Sequence, residues 1–430
     1  MNSYVWVLFT TFIVLLGAGI PVAFSLGISS TLYFALSGLP LQIAAQRFFA
    51  GLDSFTLLCV PGFILAGNLM NNGGITPRIV GFCNKLVGHI RGGLSLANIV
   101  ASMIFAGISG TAVADSASLG AILIPAMKEE GYEPDFSVGV TAASSCIGPI
   151  IPPSVPMIIA GTMTGLSVSK MFVAGIVPGI LMGFGMMAVS YYISCKRRHP
   201  KTEKMASIKE ILISGRDAFW ALLMTLIILV GIIGGICTPT EAAIIAVIYA
   251  FVVGIFVYRA LPFKDIPRIL TESAITSASI AVLVGCANIF AYIMSKEQIP
   301  QMVANAMLSF TRNKVVILLL INILLLFVGC FMETIAALLI LFPVLLQVAT
   351  AVGVHPIQFG IIMVLNLVLG LTTPPVGVCL FVTSSIGKIS LAQAAKGVLP
   401  FLAVNIIVLF FITYCPPLTL GLVKLIFGTV

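Results

Sequence analysis

Two blocks of glycine and proline interrupt long apolar runs of this sequence, and they lie 222 residues apart. The first block runs from Gly148 to Pro153 and the second from Gly370 to Pro375. Proline lacks a backbone N–H and clashes with the preceding turn, so neither block can lie inside a continuous helix. In a bilayer the freed carbonyl groups find no water, and such a break survives only where it is buried in protein or lines a cavity. Broken segments at matching positions in two halves of a chain indicate a transport site.

The same offset of 222 relates other residues that govern backbone geometry. The matched pairs are Gly148 and Gly370, Pro152 and Pro374, Pro153 and Pro375, Gly165 and Gly387, Gly175 and Gly397, Pro178 and Pro400, Gly107 and Gly329, Gly131 and Gly353, and Pro134 and Pro356. The side chains between these positions differ, whereas the turns and breaks recur. The pattern predicts one structural unit used twice.

The composition places the chain in a membrane. It is 60% hydrophobic and 8% charged, whereas a soluble domain carries about 25% charged residues. We therefore predict an all-α polytopic membrane protein. The net charge of +8 then concerns membrane orientation and anionic lipid rather than nucleic acid. The three histidines fall in predicted loops and the nine cysteines contain no CxxC pair, so the sequence predicts no metal centre built from these residues.

Apolar runs of about 17–25 residues predict membrane spans. In the first half these are 4–20, 21–38, 54–71 and 171–194, with interfacial arms at 41–53 and 76–91, a split pair at 93–107 and 112–127, and a broken run at 135–165. In the second half they are 218–236, 240–258, 274–294 and 393–415, with arms at 262–273 and 298–312, a split pair at 315–329 and 334–350, and a broken run at 356–387. The predicted organisation is a first repeat over 1–195, a cytoplasmic linker over 196–217 and a second repeat over 218–430.

Each split pair can be either a crossing helix with an extra segment or a re-entrant hairpin, and the basic residues favour the hairpin. With hairpins, each repeat has five crossings, an odd number, so the second repeat is inverted relative to the first. If 196–216 is cytoplasmic, 16 of the 22 lysine and arginine residues lie on the cytoplasmic side, in agreement with the positive-inside rule. Both termini then face outward.

The hairpin tips carry small and polar residues. The first tip spans 107–115 and the second spans 329–334. A helix C-terminus there offers carbonyl groups to a cation, and a helix N-terminus offers N–H groups to an anion. The alternative is plain packing of small residues between helices. The position opposite a broken helix favours a binding role.

Residues 107–110 also spell the GxSG of rhomboid-type intramembrane proteases. That chemistry needs a membrane-embedded base to activate the serine, and no histidine lies in a predicted span, so we predict that the chain is not an enzyme.

Two glutamates in apolar context have different interpretations. Glu333 is either a functional carboxylate at membrane depth or the cap of the following helix, and both remain open. Glu241, after Thr238 and Pro239, fits a structural capping position.

At this level of detail the sequence resembles a known family, the large membrane subunits of TRAP transporters. The resemblance is carried by 107–127, Gly148–Ser154, Thr238–Ala243 and Gly370–Gly377, and it extends over essentially the whole chain. It implies a sodium-driven importer of organic acids in a bacterial inner membrane. It also implies an elevator-type fold, in which hairpins and broken helices move against a scaffold. The implied partners are a small four-helix membrane subunit, here a separate chain, and a periplasmic substrate-binding protein.

The resemblance leaves the substrate open between sialic acid and C4-dicarboxylates, with sialic acid slightly favoured. Two other functions also remain open. One is a single-chain sodium/carboxylate symporter that needs no binding protein, and the other is a non-transporting membrane scaffold. The scaffold does not account for two helix breaks buried in a membrane.

The candidate ligands of sodium and substrate follow from the tips and breaks, since sodium is a hard cation that prefers oxygen. The predicted sodium ligands are Ser102, Gly107, Ser109, Gly110 and Gly148 in one site, and Gly329, Cys330, Thr334, Gly370 and Thr372 in the other. The predicted substrate contacts are Thr111, Asp115, Pro153, Ser154, Glu333, Thr373 and Pro375. Apart from sodium as the coupling ion, we predict no cofactor.

The inverted topology makes a direct prediction about accessibility. We expect single cysteines at positions 2 and 428 to react with a membrane-impermeant thiol reagent added to intact cells, and a cysteine at position 205 to stay unreacted until the membrane is opened. Labelling of position 205 in intact cells would contradict the inverted repeat.

Overall fold

The structure, a computed structural model, describes residues 3–201, 205–374 and 376–428, except for the side chains of Ser3, Ile108 and Ser109. Within these ranges the regular secondary structure is helical throughout, which confirms the predicted all-α fold. In this described part of the chain, seven helices are long and apolar enough to cross a membrane.

The helices of the first half end with a long helix that leads to the linker. They are α1 (Ser3–Gly17), α2 (Val22–Leu36), α3 (Leu41–Leu52), α4 (Cys59–Asn72), α5 (Ile75–Val87), α6 (Gly93–Ser109), α7 (Ala112–Glu129), α8 (Pro134–Ser145), α9 (Val155–Thr164) and α10 (Val168–Arg197). A short 3₁₀ turn, Phe55–Leu58, precedes α4.

The helices of the second half begin after the linker. They are α11 (Ile208–Ile233), α12 (Pro239–Val252), α13 (Ile266–Lys296), α14 (Ile299–Phe310), α15 (Lys314–Gly329), α16 (Thr334–Ala351), α17 (Pro356–Gly370), α18 (Val378–Gly387), α19 (Leu391–Tyr414) and α20 (Pro417–Phe427). With the offset of 222, the starts of α6–α10 fall within one residue of the starts of α15–α19. Whether the two sets are inverted across the membrane stays a prediction.

Two groups of helices organise the packing. We call α6–α9 and α15–α18 the core group, because each hairpin contacts both broken helices and the two broken helices contact each other. The return helix of each hairpin packs against the second half-helix of the other repeat: α7 against α18, and α16 against α9. The scaffold group, α1–α5 and α11–α14, is joined by contacts of α4 with α12 and of α13 with α2, α3 and α4.

The prediction of a separate arm at 262–273 and a span at 274–294 is wrong. These residues form the single helix α13, preceded only by a short turn at Phe263–Asp265. Pro267 lies in the first turn of α13, where the missing N–H costs nothing, and no proline follows within the helix. In the first repeat the equivalent segment does break, because Ser54 is extended between α3 and the turn before α4.

Helix boundaries near the linker also differ from those predicted. Helix α11 starts at Ile208, where Ser207 and Glu210 form a reciprocal capping box. The last ten residues of the predicted linker are therefore helical, because a capping box satisfies the first free N–H groups of a helix. The C-terminal helix α20 was not predicted as a separate element.

A cluster of charged residues joins the α7–α8 loop to the end of α10. His199, 4% exposed, lies 2.5 Å from Glu133 through Nε2 and 3.0 Å from Ser194 through Nδ1. Burial acts to raise the pKa of Glu133, but the hydrogen bond with His199 and the charge of Arg197 outweigh it and hold this pKa below its ordinary value. The cluster connects the first hairpin to the long helix that follows it in the chain.

Candidate functional site

The first break separates α8 from α9 and is closed by one serine. Ser154 is fully buried and is the N-cap residue of α9. Its hydroxyl accepts a hydrogen bond from Met157 N at 3.2 Å and donates to Pro149 O at 2.5 Å. The hydroxyl thus satisfies both a free donor of the helix start and a carbonyl freed by the break, as burial in a membrane requires.

The second break separates α17 from α18 and relies on two threonines. The hydroxyls of Thr372 and Thr373 donate to Leu369 O at 3.0 and 2.8 Å. The chain then returns, and Cys379 N donates to Leu371 O at 3.0 Å. Thr372 is fully buried, whereas Thr373 is partly exposed. Thr372, a predicted sodium ligand, therefore lies inside the protein, whereas Thr373, a predicted substrate contact, is more exposed.

The two breaks meet each other. The Cys146 thiol lies 3.4 Å from Val368 O and 3.8 Å from Thr372 Oγ1. Cys146 and Val368 are equivalent positions under the offset of 222. A contact between equivalent positions places both near the axis that would relate the repeats, so the breaks of the two halves form one region.

The first hairpin tip touches the first break. Gly110 ends α6 with a positive φ of 63°, and a Cβ at this position would lie 2.8 Å from Pro153 O. A glycine is therefore needed both for the backbone conformation and for the close approach. Gly107 faces the other way, because a Cβ there would overlap the side chain of Thr225 on α11. The side chain of Ser109 lies outside the described part.

Asp115 lies beside the first break, and Ser102 is bonded to α8. The sequence prediction assigned Asp115 to the substrate, but its fully buried carboxylate adjoins Gly148, where an added Cβ would overlap Asp115 Oδ2. A carboxylate therefore lies next to a predicted sodium ligand. Ser102 is seven residues before the end of α6 and donates to Ser144 Oγ at 2.9 Å, so it is bonded to α8 rather than placed at the tip.

The second hairpin tip touches the second break by backbone-to-backbone contact. A Cβ on Gly329 would lie 3.0 Å from Gly370 Cα, and one on Gly370 would overlap the backbone of Gly329. Thr334, 2% exposed at the start of α16, has a hydroxyl with no hydrogen-bond partner within the described residues. A buried polar oxygen of this kind requires a partner such as water or an ion. The thiol of Cys330 instead donates to Leu326 O at 3.1 Å.

Glu333 is the N-cap residue of α16. Its Oε2 accepts hydrogen bonds from Ile335 N at 2.9 Å and Ala336 N at 3.2 Å. The geometry therefore supports the capping interpretation, and a contact of Glu333 with substrate stays a prediction.

Glu241 forms a capping box with Thr238, which confirms its structural role. Thr111 is the N-cap residue of α7, and Pro375 lies outside the described residues.

Sequence reasoning missed a buried polar chain that leads to the second break. Asn366 Nδ2 donates to Asn322 Oδ1 at 2.5 Å, and Asn322 Nδ2 donates to Thr413 Oγ1 at 3.1 Å. Both asparagines are fully buried. The sequence did contain an indication of this chain, because Asn366 interrupts an apolar run. By the offset of 222, Asn366 is equivalent to Ser144, which bonds Ser102.

The capping role of Glu333 predicts a stability effect. We expect Glu333→Ala to lower the stability of the purified protein by about 1 kcal/mol, because two helix N–H groups lose their acceptor. Glu333→Gln keeps an acceptor and should lose less. The measurement is the thermal unfolding midpoint in detergent.

The matched control is Glu272→Ala, which removes an exposed glutamate paired with Arg268 at 3.9 Å. Surface ion pairs of this kind contribute little to the free energy of unfolding, so this variant should unfold at nearly the same temperature as the unmodified protein. Equal losses in Glu333→Ala and Glu272→Ala would contradict the capping role.

Three similar proteins are named as permeases of TRAP transporters. A protein of Vibrio cholerae named sialic acid TRAP transporter large permease protein SiaM is 44% identical over 96% of this chain and 97% of its own length. The isethionate TRAP transporter permease protein DctMQ of Oleidesulfovibrio alaskensis is 43% identical over 95% of this chain and 65% of its own. The C4-dicarboxylate TRAP transporter large permease protein DctM of Pseudomonas aeruginosa is 39% identical over 93% of each chain.

Among solved structures, the YdaH transporter of Alcanivorax borkumensis matches with a TM-score of 0.65 at 16% identity, over 88% of this chain and 90% of that one. At this identity the match shows the fold alone. The family model of the DctM component of tripartite ATP-independent periplasmic transporters matches residues 9–418. The chain therefore belongs to the DctM family, the large membrane components of tripartite ATP-independent periplasmic (TRAP) transporters.

Proposed function

We propose that this protein is the large membrane subunit of a sodium-coupled importer of organic acids in a bacterial inner membrane. It works with a small four-helix membrane subunit and a periplasmic substrate-binding protein. The observation that carries the proposal is the meeting of two buried helix breaks, each touched by a hairpin tip. Membership in a tripartite family favours this over a single-chain symporter, the alternative left open by the sequence.

The ion sites that we propose lie where tip and break touch. The second site uses Gly329, Gly370, Thr334 and Thr372, and its support is the buried Thr334 hydroxyl, which has no partner within the described residues. Sodium binds oxygen ligands, which hydroxyls and freed carbonyls provide. The first site uses the tip at Gly110 and the break at Gly148.

The position of Asp115 changes the charge that we assign to the first site. Its carboxylate adjoins Gly148, so we assign Asp115 to the ion rather than to the substrate. A carboxylate at membrane depth is costly unless a cation or hydrogen bonds compensate it. One site then carries a fixed negative charge, and the other is built from neutral groups.

We place the substrate between the tips, against Pro153, Thr373 and the start of α18. The relatives are named for sialic acid, C4-dicarboxylate and isethionate, which are all organic anions, and sialic acid leads because it names the relative at 44% identity. The cations of the core group are Lys128 and Lys314, both at helix ends. The anion is therefore met by half-helix N–H groups, hydroxyls and the nearby sodium ions.

The lack of a fixed cation at the substrate position couples sodium flux to substrate flux. Without a fixed cation, the anion binds poorly until sodium is present, and by reciprocity the anion tightens sodium binding by the same factor. A nearly neutral package is also cheaper to move through hydrocarbon than a bare anion. We propose that the core group carries this package against the scaffold group in an elevator movement.

The ion assignment predicts altered sodium dependence. In proteoliposomes holding the complete complex, we expect Thr334→Ala and Thr372→Ala to raise the sodium concentration for half-maximal uptake by about tenfold. Loss of one polar ligand costs roughly 1.4 kcal/mol, which corresponds to that factor. Ser109→Ala tests the first site in the same assay.

Thr350→Ala is the matched control, because this exposed threonine of α16 bonds only within its own helix. The sodium dependence of Thr350→Ala should equal that of the unmodified protein. Unchanged sodium dependence in all three site variants would refute the assignment.

A further inference from the structure

A polar cavity lies apart from the helix breaks, between the scaffold group and the core group. Its volume is about 570 Å³. The scaffold wall comes from α3, the turn before α4 and α13, and the opposite wall comes from α9 and α16. Its polar lining residues are Arg47, Ser54, Asn288, Tyr292, Ser295 and Thr162.

The cation of this cavity is Arg47. Its guanidinium lies 4.3 Å from the centre of the Tyr292 ring, an arrangement that stabilises a cation and restrains its position. The backbone of the same residue is fixed as well, because Asn288 Nδ2 donates to Arg47 O at 2.9 Å. The scaffold therefore holds a positive charge at the wall of the cavity.

The groups around Arg47 suit an anion. A guanidinium presents a planar set of donors that matches a carboxylate. Ser54 and Ser295 add hydroxyl donors on the same wall. On the opposite wall, Thr162 donates its own proton to Ile158 O at 2.8 Å, so recognition of an anion depends on the scaffold side.

We propose that this cavity is an accessory binding site for a small organic anion, whose carboxylate pairs with Arg47. That this anion is the transported substrate rests on the proposed function. The site differs from the one at the breaks in one physical respect. Here a fixed protein charge meets the anion, so binding does not require sodium.

The two walls give the site a further property. A bound anion contacts scaffold residues on one side and α9, with Pro343 of α16, on the other. A ligand that contacts both groups binds with an affinity that depends on their relative position. The cavity therefore loses its anion when the core group moves away from the scaffold.

The positive charge can be tested without transport, by thiol chemistry on the purified full-length chain in detergent. The accessible cysteines Cys195, Cys237 and Cys415 are replaced by serine, and Ser295→Cys or Thr162→Cys is introduced in the cavity. Each is reacted with a negatively and a positively charged methanethiosulfonate of similar size. We expect the negative reagent to be favoured, and Arg47→Gln to reduce this preference about three- to tenfold, since local charge raises encounter rates of opposite ions.

Two controls address charge and folding. Arg47→Lys keeps the charge and should keep most of the preference. Arg312→Gln removes an exposed arginine that lines a different cavity and should change nothing. Equal rates for both reagents with Arg47 intact would overturn the proposal, and this comparison needs no Arg47 variant to fold.

Anion binding is tested by protection. With sodium replaced by choline, succinate or sialic acid should slow labelling of Thr162→Cys when Arg47 is present, and not in Arg47→Gln. Absence of protection, or protection that appears only with sodium, would overturn the proposal. If protection occurs but the complete complex shows no sodium-dependent uptake, the accessory anion site is supported and the proposed function is contradicted.

Discussion

The backbone polar groups released at two helix breaks constrain the rest of this structure. The nine residues between α8 and α9, and the described residues among 371–377 between α17 and α18, lie outside regular helix. In hydrocarbon, each unsatisfied N–H or carbonyl group costs several kcal/mol. The chain meets this requirement with buried hydroxyls at both breaks and with the hairpin tips that cover them. Packing of the core group follows from this need for enclosure.

The enclosed breaks also provide backbone groups with partial charges that can bind ions. Once the breaks are buried, their carbonyl groups and N–H groups face one another instead of water, and the ends of half-helices concentrate partial charges. The contact of Cys146 with Val368 and Thr372 brings both breaks into one region. A region with partial charges of both signs and few formal ones suits joint binding of an anion and its counter-ions.

The sequence predicted the elements of this arrangement better than their contacts. Glycine and proline determine backbone geometry whatever surrounds them, so the breaks, the tips and the cap at Glu241 could be predicted. The direction in which a side chain points inside an apolar helix depends on neighbours distant in sequence. For that reason the sequence did not indicate that Asp115 adjoins Gly148, and Asn366 was missed. The continuity of α13 was also not predicted, because the polar start of this helix resembles a surface arm. No proline after the first turn interrupts the helix.

Under the proposed function, a site without a fixed cation holds an organic anion only together with sodium. The most direct test is equilibrium binding of sialic acid or succinate to the purified complex of large and small subunits, in sodium and with sodium replaced by choline. Arg47→Gln is used for this measurement, so that the accessory cavity does not contribute. We expect the affinity for the anion to fall by at least about fivefold in choline, the lower end of typical coupling between sites. Undiminished affinity in choline would show that a protein group pairs the anion, and sodium would then not be needed for binding.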